Sequence, residues 1–270
     1  MTFEFERRTV ASKAQFEGAG IFSGEISRAV VRPGSDGIAF TLGSNRVVAE
    51  PSTVTDTSRS TSVGGIRMVE HLMSALAALA ITDAEIEVST TEMPILGGGS
   101  AEYLAGLKAA GVTLTGRTSA VRLFGRVSLQ EGGQRIGISA GNGRWRYEFE
   151  RDGCWPGKLV YEFAFAYSEY ETEIAPAKTF AFVDEVRAMK KAGLVHGGSE
   201  KNTLVMGEDG YRTEHRFSDE PARHKILDCM GDLALAGVPL RFLNVVAERT
   251  GHRMNVEAAR RLVEICKWEN

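Results

Sequence analysis

The first part of the chain alternates apolar and polar residues over short runs, which is the pattern of β-strands. Within residues 7–60, the segments 30–32 and 38–42 are examples, and the segment Pro33-Gly34-Ser35-Asp36-Gly37 between them is typical of a turn. We therefore expect a series of strands separated by turns over this stretch.

A helix is predicted next, because the spacing of the apolar residues changes. In residues 68–80 the apolar positions 69, 72, 73, 76, 79 and 80 recur with helical spacing, and the alanines favour a helix. The alternating residues 84–89 then predict a strand. Ser100 is placed to cap a second helix that runs to about Gly111.

The same order of elements begins again after residues 116–119. Pro221 in the first turn and Gly237 after the last turn delimit the strongest helix signal of the chain. The sequence predicts strands at about 120–130, 134–139, 144–150, 158–167 and 241–247, and helices at about 183–192, at 218–236 and from about 256. We therefore predict an α+β protein of two similar domains, residues 1–117 and 118–270, each a β-sheet layer packed against helices.

Charge and composition exclude several classes of protein. The 270 residues include 32 Lys+Arg and 35 Asp+Glu, a formal net charge of −3, and no basic stripe is interleaved with aromatics, so nucleic-acid binding is not expected. The longest apolar-rich stretch, residues 72–81, is about half of the roughly 20 residues that cross a bilayer. Acidic and basic residues within positions 4–8 stand where a signal peptide needs an apolar core. We expect a cytoplasmic protein without a transmembrane segment.

The three cysteines, Cys154, Cys229 and Cys266, are odd in number and widely spaced. This pattern fits neither a disulfide framework nor a zinc site made of cysteines. We expect reduced, packed side chains.

Among the five histidines, His224 has the most informative neighbours. His224, Asp228 and Asp232 are four residues apart, so on a helix they form one polar stripe. A histidine and a carboxylate one turn apart can bind the same cation, which is a recurrent half of a zinc site. The other interpretation is a solvated helix face without a function.

A second candidate is the pair Glu70-His71 in the helix predicted at 68–80. His71 could supply a third ligand, and Glu70, projecting about 100° away around the helix, would lie beside the metal as a general base. Within an Ala- and Leu-rich helix two such polar side chains must have charged partners, be exposed or have a function. The alternative to a metal site is therefore an exposed helix edge without a function.

His252 follows the strand predicted at 241–247, at a turn where it would be exposed enough to donate a proton. Asp232 could orient it and stabilise its protonated form, and the alternative is a turn histidine without a role. Two histidines, one carboxylate and an open position are the pattern of a hydrolytic zinc site rather than a structural one. His196 and His215 have no partner pattern and are expected at the surface.

Taken together, these segments resemble the UDP-3-O-acyl-N-acetylglucosamine deacetylases, which commit sugar nucleotides to lipid A in Gram-negative bacteria. The resemblance extends from about Arg8 to the last helix. The matching segments are Val69-Glu-His-Leu-Met-Ser-Ala-Leu76, Pro94-Ile-Leu with Gly99-Ser100, Ala177-Lys-Thr-Phe-Ala-Phe182, Gly193-Leu-Val-His-Gly-Gly-Ser199, Arg223-His-Lys-Ile-Leu-Asp-Cys-Met-Gly-Asp232 and Gly251-His252. The resemblance implies two α+β domains with the active site at their junction.

The resemblance also implies a zinc-dependent N-deacetylase with assigned residues. Glu70 would be the general base toward the attacking water, and His252, supported by Asp232, would protonate the leaving amine. The implied zinc ligands are His71, His224 and Asp228.

Three further residues would contact the substrate, a UDP-sugar that carries an acyl chain. By the same resemblance, Thr179 would help stabilise the oxyanion, Lys225 would lie near the phosphates, and Phe180 would pack on the sugar. Histidine and aspartate ligands suit Fe²⁺ nearly as well as Zn²⁺, so the sequence leaves the metal open. We expect the enzyme to be a monomer.

The chain departs from the family pattern at positions outside the implied zinc ligands. Phe22 stands where an early turn of the family has a histidine, Gly97 replaces an aspartate, and Arg67-Met68 replace small hydroxyl residues. In the insert at about residues 183–206, which in the family forms an apolar tunnel for the fatty chain, His196 and Glu200 replace apolar residues. Because a charged side chain facing methylene groups is costly, either Glu200 points outward or the substrate lacks a long acyl group.

Three functions follow from these observations. The first is removal of the N-acetyl group from UDP-3-O-acyl-N-acetylglucosamine in the lipid A pathway. The second is deacetylation of a different N-acetyl sugar or sugar nucleotide by a divergent paralogue. The third is a non-catalytic protein that binds a sugar nucleotide. The departures from the family pattern favour it, and the presence of every implied zinc ligand, the base and the acid argues against it.

Overall fold

The alternating and the helical segments of the sequence fold into strands and helices in nearly the predicted order. The computed structural model describes residues 1–151, 153 and 155–269. The strands are β1 (Thr2–Val10), β2 (Ala14–Ala19), β3 (Ile26–Pro33), β4 (Ile38–Leu42), β5 (Asn45–Val48), β6 (Val54–Asp56), β7 (Ser62–Val63), β8 (Ala84–Val88), β9 (Val112–Leu123), β10 (Arg126–Glu131), β11 (Gln134–Ala140), β12 (Arg144–Phe149), β13 (Leu159–Ala164), β14 (Thr179–Phe182), β15 (Thr203–Met206), β16 (Leu243–Glu248) and β17 (Cys266–Glu269). The α-helices are α1 (Glu70–Ala78), α2 (Ala101–Ala110), α3 (Tyr167–Glu169), α4 (Val183–Lys191), α5 (Glu220–Ala234) and α6 (His252–Glu264).

Two five-stranded sheets share one topology. The strand order is β2-β3-β8-β4-β5 in the first half of the chain and β10-β11-β16-β12-β13 in the second. In each sheet one pair of neighbours is parallel, β8 with β4 and β16 with β12, and the other neighbours are antiparallel. The predicted α+β class and the repeated order of elements are therefore confirmed.

Each sheet presents one row of large apolar side chains to the core. In the first sheet Ile86 lies opposite Val31 on one side and Phe40 on the other, and all three are buried. Side chains alternate between the two faces of a strand, so residues in register share a face. The equivalent buried row of the second sheet is Ile138, Val245 and Trp145.

A third sheet, β1-β9-β17, joins the beginning, the middle and the end of the described chain. Both β1 and β17 are antiparallel to β9. Strand β9 runs through residue 117, where the domain boundary is predicted. The boundary stays a prediction.

The predicted insert forms a β-α-β unit beside the second sheet. Strands β14 and β15 are parallel, with Thr179 opposite Thr203, and α4 connects them. Gly98 allows a close approach to this unit, because it has a φ of +85° and a Cβ atom there would lie 1.8 Å from the carbonyl oxygen of Asn202. The unit is thereby held against the loop that precedes α2.

Helices α1 and α5 pack directly on each other, and Gly231 makes this contact possible. A Cβ atom on Gly231 would lie 2.1 Å from the backbone carbonyl oxygen of Glu70. No carbon side chain can occupy that space, so glycine is required for α5 to touch the first turn of α1. The contact places Glu70 and His71 beside the middle of α5.

Two predicted strands and one predicted cap differ in part from the structure. The strand predicted at 120–130 is two strands, because β9 belongs to the third sheet and β10 to the second, and the chain passes between them at Gly125. The strand predicted at 158–167 ends at Ala164. Ser100 does precede α2, but its hydroxyl lies 2.7 Å from the hydroxyl of Tyr170 instead of capping the helix.

The last helix and the ends of the described chain also differ from the prediction. Helix α6 begins at His252 rather than near 256, with the extended Gly251 as its N-cap, and its first two residues, His252 and Arg253, are polar and give no apolar signal. The strand predicted at 241–247 begins at Leu243, after a 3₁₀ turn at Leu240–Phe242. Strand β17 was not predicted, because its four residues alternate too briefly to stand out.

Two of the cysteines carry free thiols. Cys229 is buried and Cys266 is partly buried, which agrees with reduced, packed side chains. Cys154 lies outside the described residues. Among the helices in the described part of the chain, none has the length and apolar character needed to span a membrane.

The contact between α1 and α5 predicts the effect of Gly231→Ala. Helix propensity alone would favour alanine by about 1 kcal/mol. We nevertheless expect the free energy of unfolding to fall by about 2 kcal/mol, because the new methyl group forces the helices apart. Denaturant unfolding measures the change, with Gly137→Ala in β11 as the control, since a Cβ atom there meets nothing within 4 Å in the described structure. A Gly231→Ala protein as stable as the wild type would contradict the proposed tight contact.

Candidate metal centre and active site

The three predicted metal ligands lie together where α1 meets α5. Nε2 of His71 lies 3.7 Å from Oδ1 of Asp228, and Nε2 of His224 lies 3.2 Å from the same oxygen. One ligand atom from each residue can be chosen so that all three lie within 4.8 Å of one another. All three side chains are buried. The alternative of a solvated helix face is therefore wrong for His224 and Asp228, and that of an exposed helix edge is wrong for His71.

The donor atoms of this cluster fit a divalent cation. Oδ1 of Asp228 is buried and has no hydrogen-bond donor within the described part of the chain. Nδ1 of His224 lies 3.0 Å from the carbonyl oxygen of Ala177, so that nitrogen carries the proton and Nε2 turns its lone pair toward Asp228. A buried, unpaired carboxylate oxygen is costly, and a cation held with the two imidazole nitrogens would satisfy it. Two imidazoles and one carboxylate are ligands typical of zinc and of iron(II).

The charges of the cluster suit metal binding. Burial, and then the neighbouring His224, lower the pKa of His71 to about 3, so this imidazole is neutral as a metal ligand must be. Burial alone would raise the pKa of Asp228, but the positive charges around it, that of Lys225 among them, outweigh burial and hold that pKa well below its usual value. The ammonium group of Lys225 donates to Oδ2 of Asp228 at 2.9 Å. Asp228 is therefore ionised, with Oδ1 left for a cation.

Glu70 is the first residue of α1 and is almost completely buried beside the cluster. Its Oε2 accepts the backbone N–H of Thr61 at 3.0 Å, and its Oε1 lies 4.0 Å from Nε2 of His252. Burial and the charges of Asp232 and Asp228 raise the pKa of Glu70 to about 8, although His252 opposes the shift. A carboxyl group with such a pKa can accept and release a proton near neutral pH.

His252 is held by a buried carboxylate. Its Nδ1 lies 3.0 Å from Oδ2 of Asp232, and the amide of Asn255 donates to the same oxygen at 2.9 Å. Burial alone would lower the pKa of His252, but the charge and hydrogen bond of Asp232 raise it to about 9. The prediction of an exposed turn is wrong, since His252 is 7% exposed at the start of α6. The ring is nonetheless protonated near neutral pH and can donate a proton.

The residues assigned to the substrate line the same cavity, which has a volume of about 900 Å³. Thr179 and Phe180 begin β14, and both are half-buried. The ring centroid of Phe180 lies 6.0 Å from that of His224, and the ammonium nitrogen of Lys225 lies 5.6 Å from the Phe180 ring. The structure thus brings all nine predicted site residues to one cavity and the side chains behind it.

The insert contributes apolar side chains to this cavity. Val186, Met189 and Val195 line it. Glu200 also lines it but is exposed, so its carboxylate stays hydrated rather than buried against these side chains. His196 and His215 are exposed, as predicted.

The departures from the family pattern have local structural partners. The ring of Phe22 lines the cavity, and the guanidinium of Arg67 lies 4.2 Å from its centroid. The carboxylate of Glu92 accepts the backbone N–H of Phe22 at 2.8 Å. A Cβ atom on Gly97 would lie 2.1 Å from Oε1 of Glu102, so the Glu102 carboxylate occupies the space beside the glycine.

Three contacts of the site were missed at the level of sequence. Asn255 stands three residues after His252, and this helical spacing would have revealed it had α6 been predicted to begin at 252. The contact of His224 with the carbonyl oxygen of Ala177 could not be predicted, because every residue has such a carbonyl and the side chain of Ala177 plays no part in it. Thr61 lies in a serine-rich loop, where hydroxyl residues are common and indicate no particular partner.

Known proteins resemble this chain over almost its whole length. A model of the UDP-3-O-acyl N-acetylglycosamine deacetylase family matches residues 7–264. The UDP-3-O-acyl-N-acetylglucosamine deacetylase of Aquifex aeolicus is 34% identical over 266 residues, which cover 95% of this chain and 93% of that protein. The enzymes of the same name from Thermosynechococcus vestitus and Leptospira biflexa are 33% and 29% identical, over 96% and 94% of this chain and 94% and 88% of their own lengths.

The matched region contains both repeated sheets and the three helices that carry the metal cluster, Glu70 and His252. The similarity therefore covers the fold and the site together, rather than one of the two halves. On this basis the chain belongs to the family of UDP-3-O-acyl N-acetylglycosamine deacetylases.

Proposed function

We propose that this protein removes the N-acetyl group from UDP-3-O-acyl-N-acetylglucosamine, a reaction of lipid A synthesis, with the help of a bound divalent metal. The observation that carries the proposal is the buried, unpaired Oδ1 of Asp228 beside Nε2 of His71 and Nε2 of His224. Family membership supports the same activity, since the relatives compared above bear the name of that enzyme.

Amide hydrolysis requires one proton to leave the attacking water and one to reach the leaving nitrogen. When bound, zinc supplies Lewis-acid polarisation of the amide carbonyl and makes water more acidic. Glu70 accepts a proton from the water as the carbon–oxygen bond forms. His252 then donates a proton to the nitrogen as the carbon–nitrogen bond breaks, so that acetate and the amine are the products. The separation of 4.0 Å between Oε1 of Glu70 and Nε2 of His252 suits a base and an acid that serve the same small group.

The remaining assigned residues bind the substrate in this proposal. The hydroxyl of Thr179 stabilises the oxyanion, Lys225 meets the substrate near its phosphates, and Phe180 packs on the sugar. The apolar side chains of the insert that line the cavity, Val186, Met189 and Val195, support an acyl chain as part of the substrate. The hydrated position of Glu200 removes the main physical objection to that chain.

We further propose zinc as the metal, with Fe²⁺ as the alternative that the same ligands accept. A cytoplasmic monomer is also part of the proposal. Its support is that one chain supplies every ligand, the base and the acid, and that Cys229 and Cys266 are free thiols, as in a reducing compartment.

The substrate proposal is tested by assaying the zinc-loaded protein with UDP-3-O-acyl-N-acetylglucosamine and, in parallel, with the same sugar nucleotide without the acyl chain. We expect release of acetate from the acylated compound only. Preference for the unacylated compound would overturn the proposed substrate, and failure to hydrolyse either one while zinc is bound would overturn the proposed activity.

Removal of a ligand is expected to remove the metal. His71→Ala and Asp228→Ala proteins should lose at least about 90% of the metal that the wild type retains after dialysis, which we expect to be about one ion per chain. Elemental analysis of the folded proteins measures the metal content, and His215→Ala is the control, because His215 is exposed and does not line the cavity in the described structure. Full metal content in His71→Ala would show that the ion is held elsewhere.

Glu70→Gln tests the proposed base without emptying the metal site. The amide still accepts the N–H of Thr61 but cannot take a proton from water, so kcat should fall by roughly 10²–10⁴. Metal content should stay at the wild-type value. Steady-state kinetics and elemental analysis measure the two quantities, with the exposed Glu17→Gln as the control. Unchanged turnover in Glu70→Gln would exclude this residue as the base.

A further inference from the structure

Thr61 contacts both side chains to which proton transfer is assigned. It lies directly before β7 in the first half of the chain and is fully buried. Its backbone N–H donates to Oε2 of Glu70 at 3.0 Å, and its hydroxyl donates to Oδ1 of Asp232 on α5. One residue thus holds the proposed base directly and the proposed acid through its carboxylate partner.

The backbone of Thr61 is itself fixed relative to α1. Its carbonyl oxygen accepts the N–H of Val69 at 3.3 Å. Its own N–H donates to the side chain of Glu70, the residue that follows Val69. Both polar backbone groups are therefore bound to the start of the helix that carries the base. The hydroxyl is consequently held in a defined place, because the residue cannot shift without breaking these contacts.

The hydroxyl completes the set of donors around Asp232. Oδ2 of this carboxylate accepts from Nδ1 of His252 and from the amide of Asn255, while Oδ1 accepts from Thr61. Asp232 is completely buried, so no bulk water replaces a donor that is lost. With donors on both oxygens, the plane of the carboxylate is fixed, and it fixes the ring of His252 in turn.

Thr61 lies behind the residues that form the wall of the cavity. It is absent from the residues that line the cavity in the described structure, whereas Glu70 and His252 both line it. A change in its side chain should therefore act on the catalytic groups and leave the surface that binds the substrate intact.

We propose that Thr61 is a positioning residue for the deacetylation: its hydroxyl orients Asp232 so that His252 presents Nε2 to the leaving nitrogen, while its N–H orients Glu70 in the same frame. This inference rests on the proposed function. The hydroxyl transfers no proton of the reaction itself.

The test compares Thr61→Val, which keeps the shape and loses the hydroxyl, with Thr61→Ser, which keeps the hydroxyl. In Thr61→Val we expect kcat to fall about 10- to 100-fold with KM within about twofold of wild type, because orientation of the acid is lost and substrate binding is not. Thr61→Ser should recover kcat to within about threefold of wild type. Thr61→Ala, which puts no methyl group against the carboxylate, should show the same loss as Thr61→Val.

Ser62→Ala is the matched control. The neighbouring Ser62 is also buried, and its hydroxyl has no hydrogen-bond partner among the described residues. Its removal should leave kcat, KM, metal content and melting temperature at wild-type values. Equal losses in Ser62→Ala and Thr61→Val would show a general packing effect and overturn the proposal.

A double-mutant cycle shows through which group Thr61 acts. In a His252→Gln background, the further change Thr61→Val should alter kcat less than about twofold, because the acid that Thr61 orients is already absent. A full additive loss in the double variant would overturn the assignment to the acid.

A measurement on the metal-free protein is independent of turnover. When the donor to Oδ1 is lost, Asp232 becomes a stronger acceptor for His252, so the Nδ1 proton of His252 should move to lower field in the NMR spectrum of Thr61→Val and return in Thr61→Ser. An unchanged resonance together with wild-type kcat would overturn this proposal alone. A wild-type protein that binds zinc but hydrolyses neither sugar nucleotide would overturn the proposed function and this inference with it.

Discussion

The packing of α1 against α5 at Gly231 is the constraint on which the rest of the site depends. Because no side chain separates the two helices there, the carbonyl of Glu70 lies against the backbone of α5. His71 then stands opposite the stripe formed by His224 and Asp228. A metal site needs ligand atoms a few ångströms apart, and two helices that carried ordinary side chains at their contact would hold these residues too far from each other. Each half of the chain thus supplies one helix to the site, and the two helices can touch because Gly231 has no side chain.

Burial gives the cluster its chemistry. In water, Glu70 and His252 would each be ionised according to their ordinary pKa values, whereas here burial raises that of Glu70 to about 8 and Asp232 raises that of His252 to about 9. Near neutral pH His252 is therefore protonated, as an acid must be, and the raised pKa of Glu70 makes its carboxylate a stronger acceptor for a proton from water than an ordinary glutamate. Buried charges usually destabilise a fold, and in this protein hydrogen bonds from Thr61, Asn255 and Lys225 satisfy most of their oxygens. Among the described residues, Oδ1 of Asp228 is buried and has no such donor, and a bound metal ion would satisfy it.

Much of this arrangement follows from local sequence patterns. The i, i+4 spacing of His224, Asp228 and Asp232 depends only on helix geometry, so it was predictable, as was the repeated order of strands and helices. The burial of His252 was not predictable, because it depends on where α6 begins and on Asp232, a partner 20 residues away. The contact of Thr61 with Asp232 joins residues 171 positions apart, and no spacing rule reaches that far. The break between β9 and β10 depends on which sheet each strand joins, which is also a property of the tertiary structure. The individual roles of the site residues stay predictions.

We propose one metal ion between α1 and α5, held by His71, His224 and Asp228. Anomalous X-ray diffraction at the zinc absorption edge, from crystals of the zinc-loaded protein, would locate this ion. We expect one peak, bounded by Nε2 of His71, Nε2 of His224 and Oδ1 of Asp228. A peak elsewhere in the molecule, or an ion in contact with the residues of only one of the two helices, would contradict it.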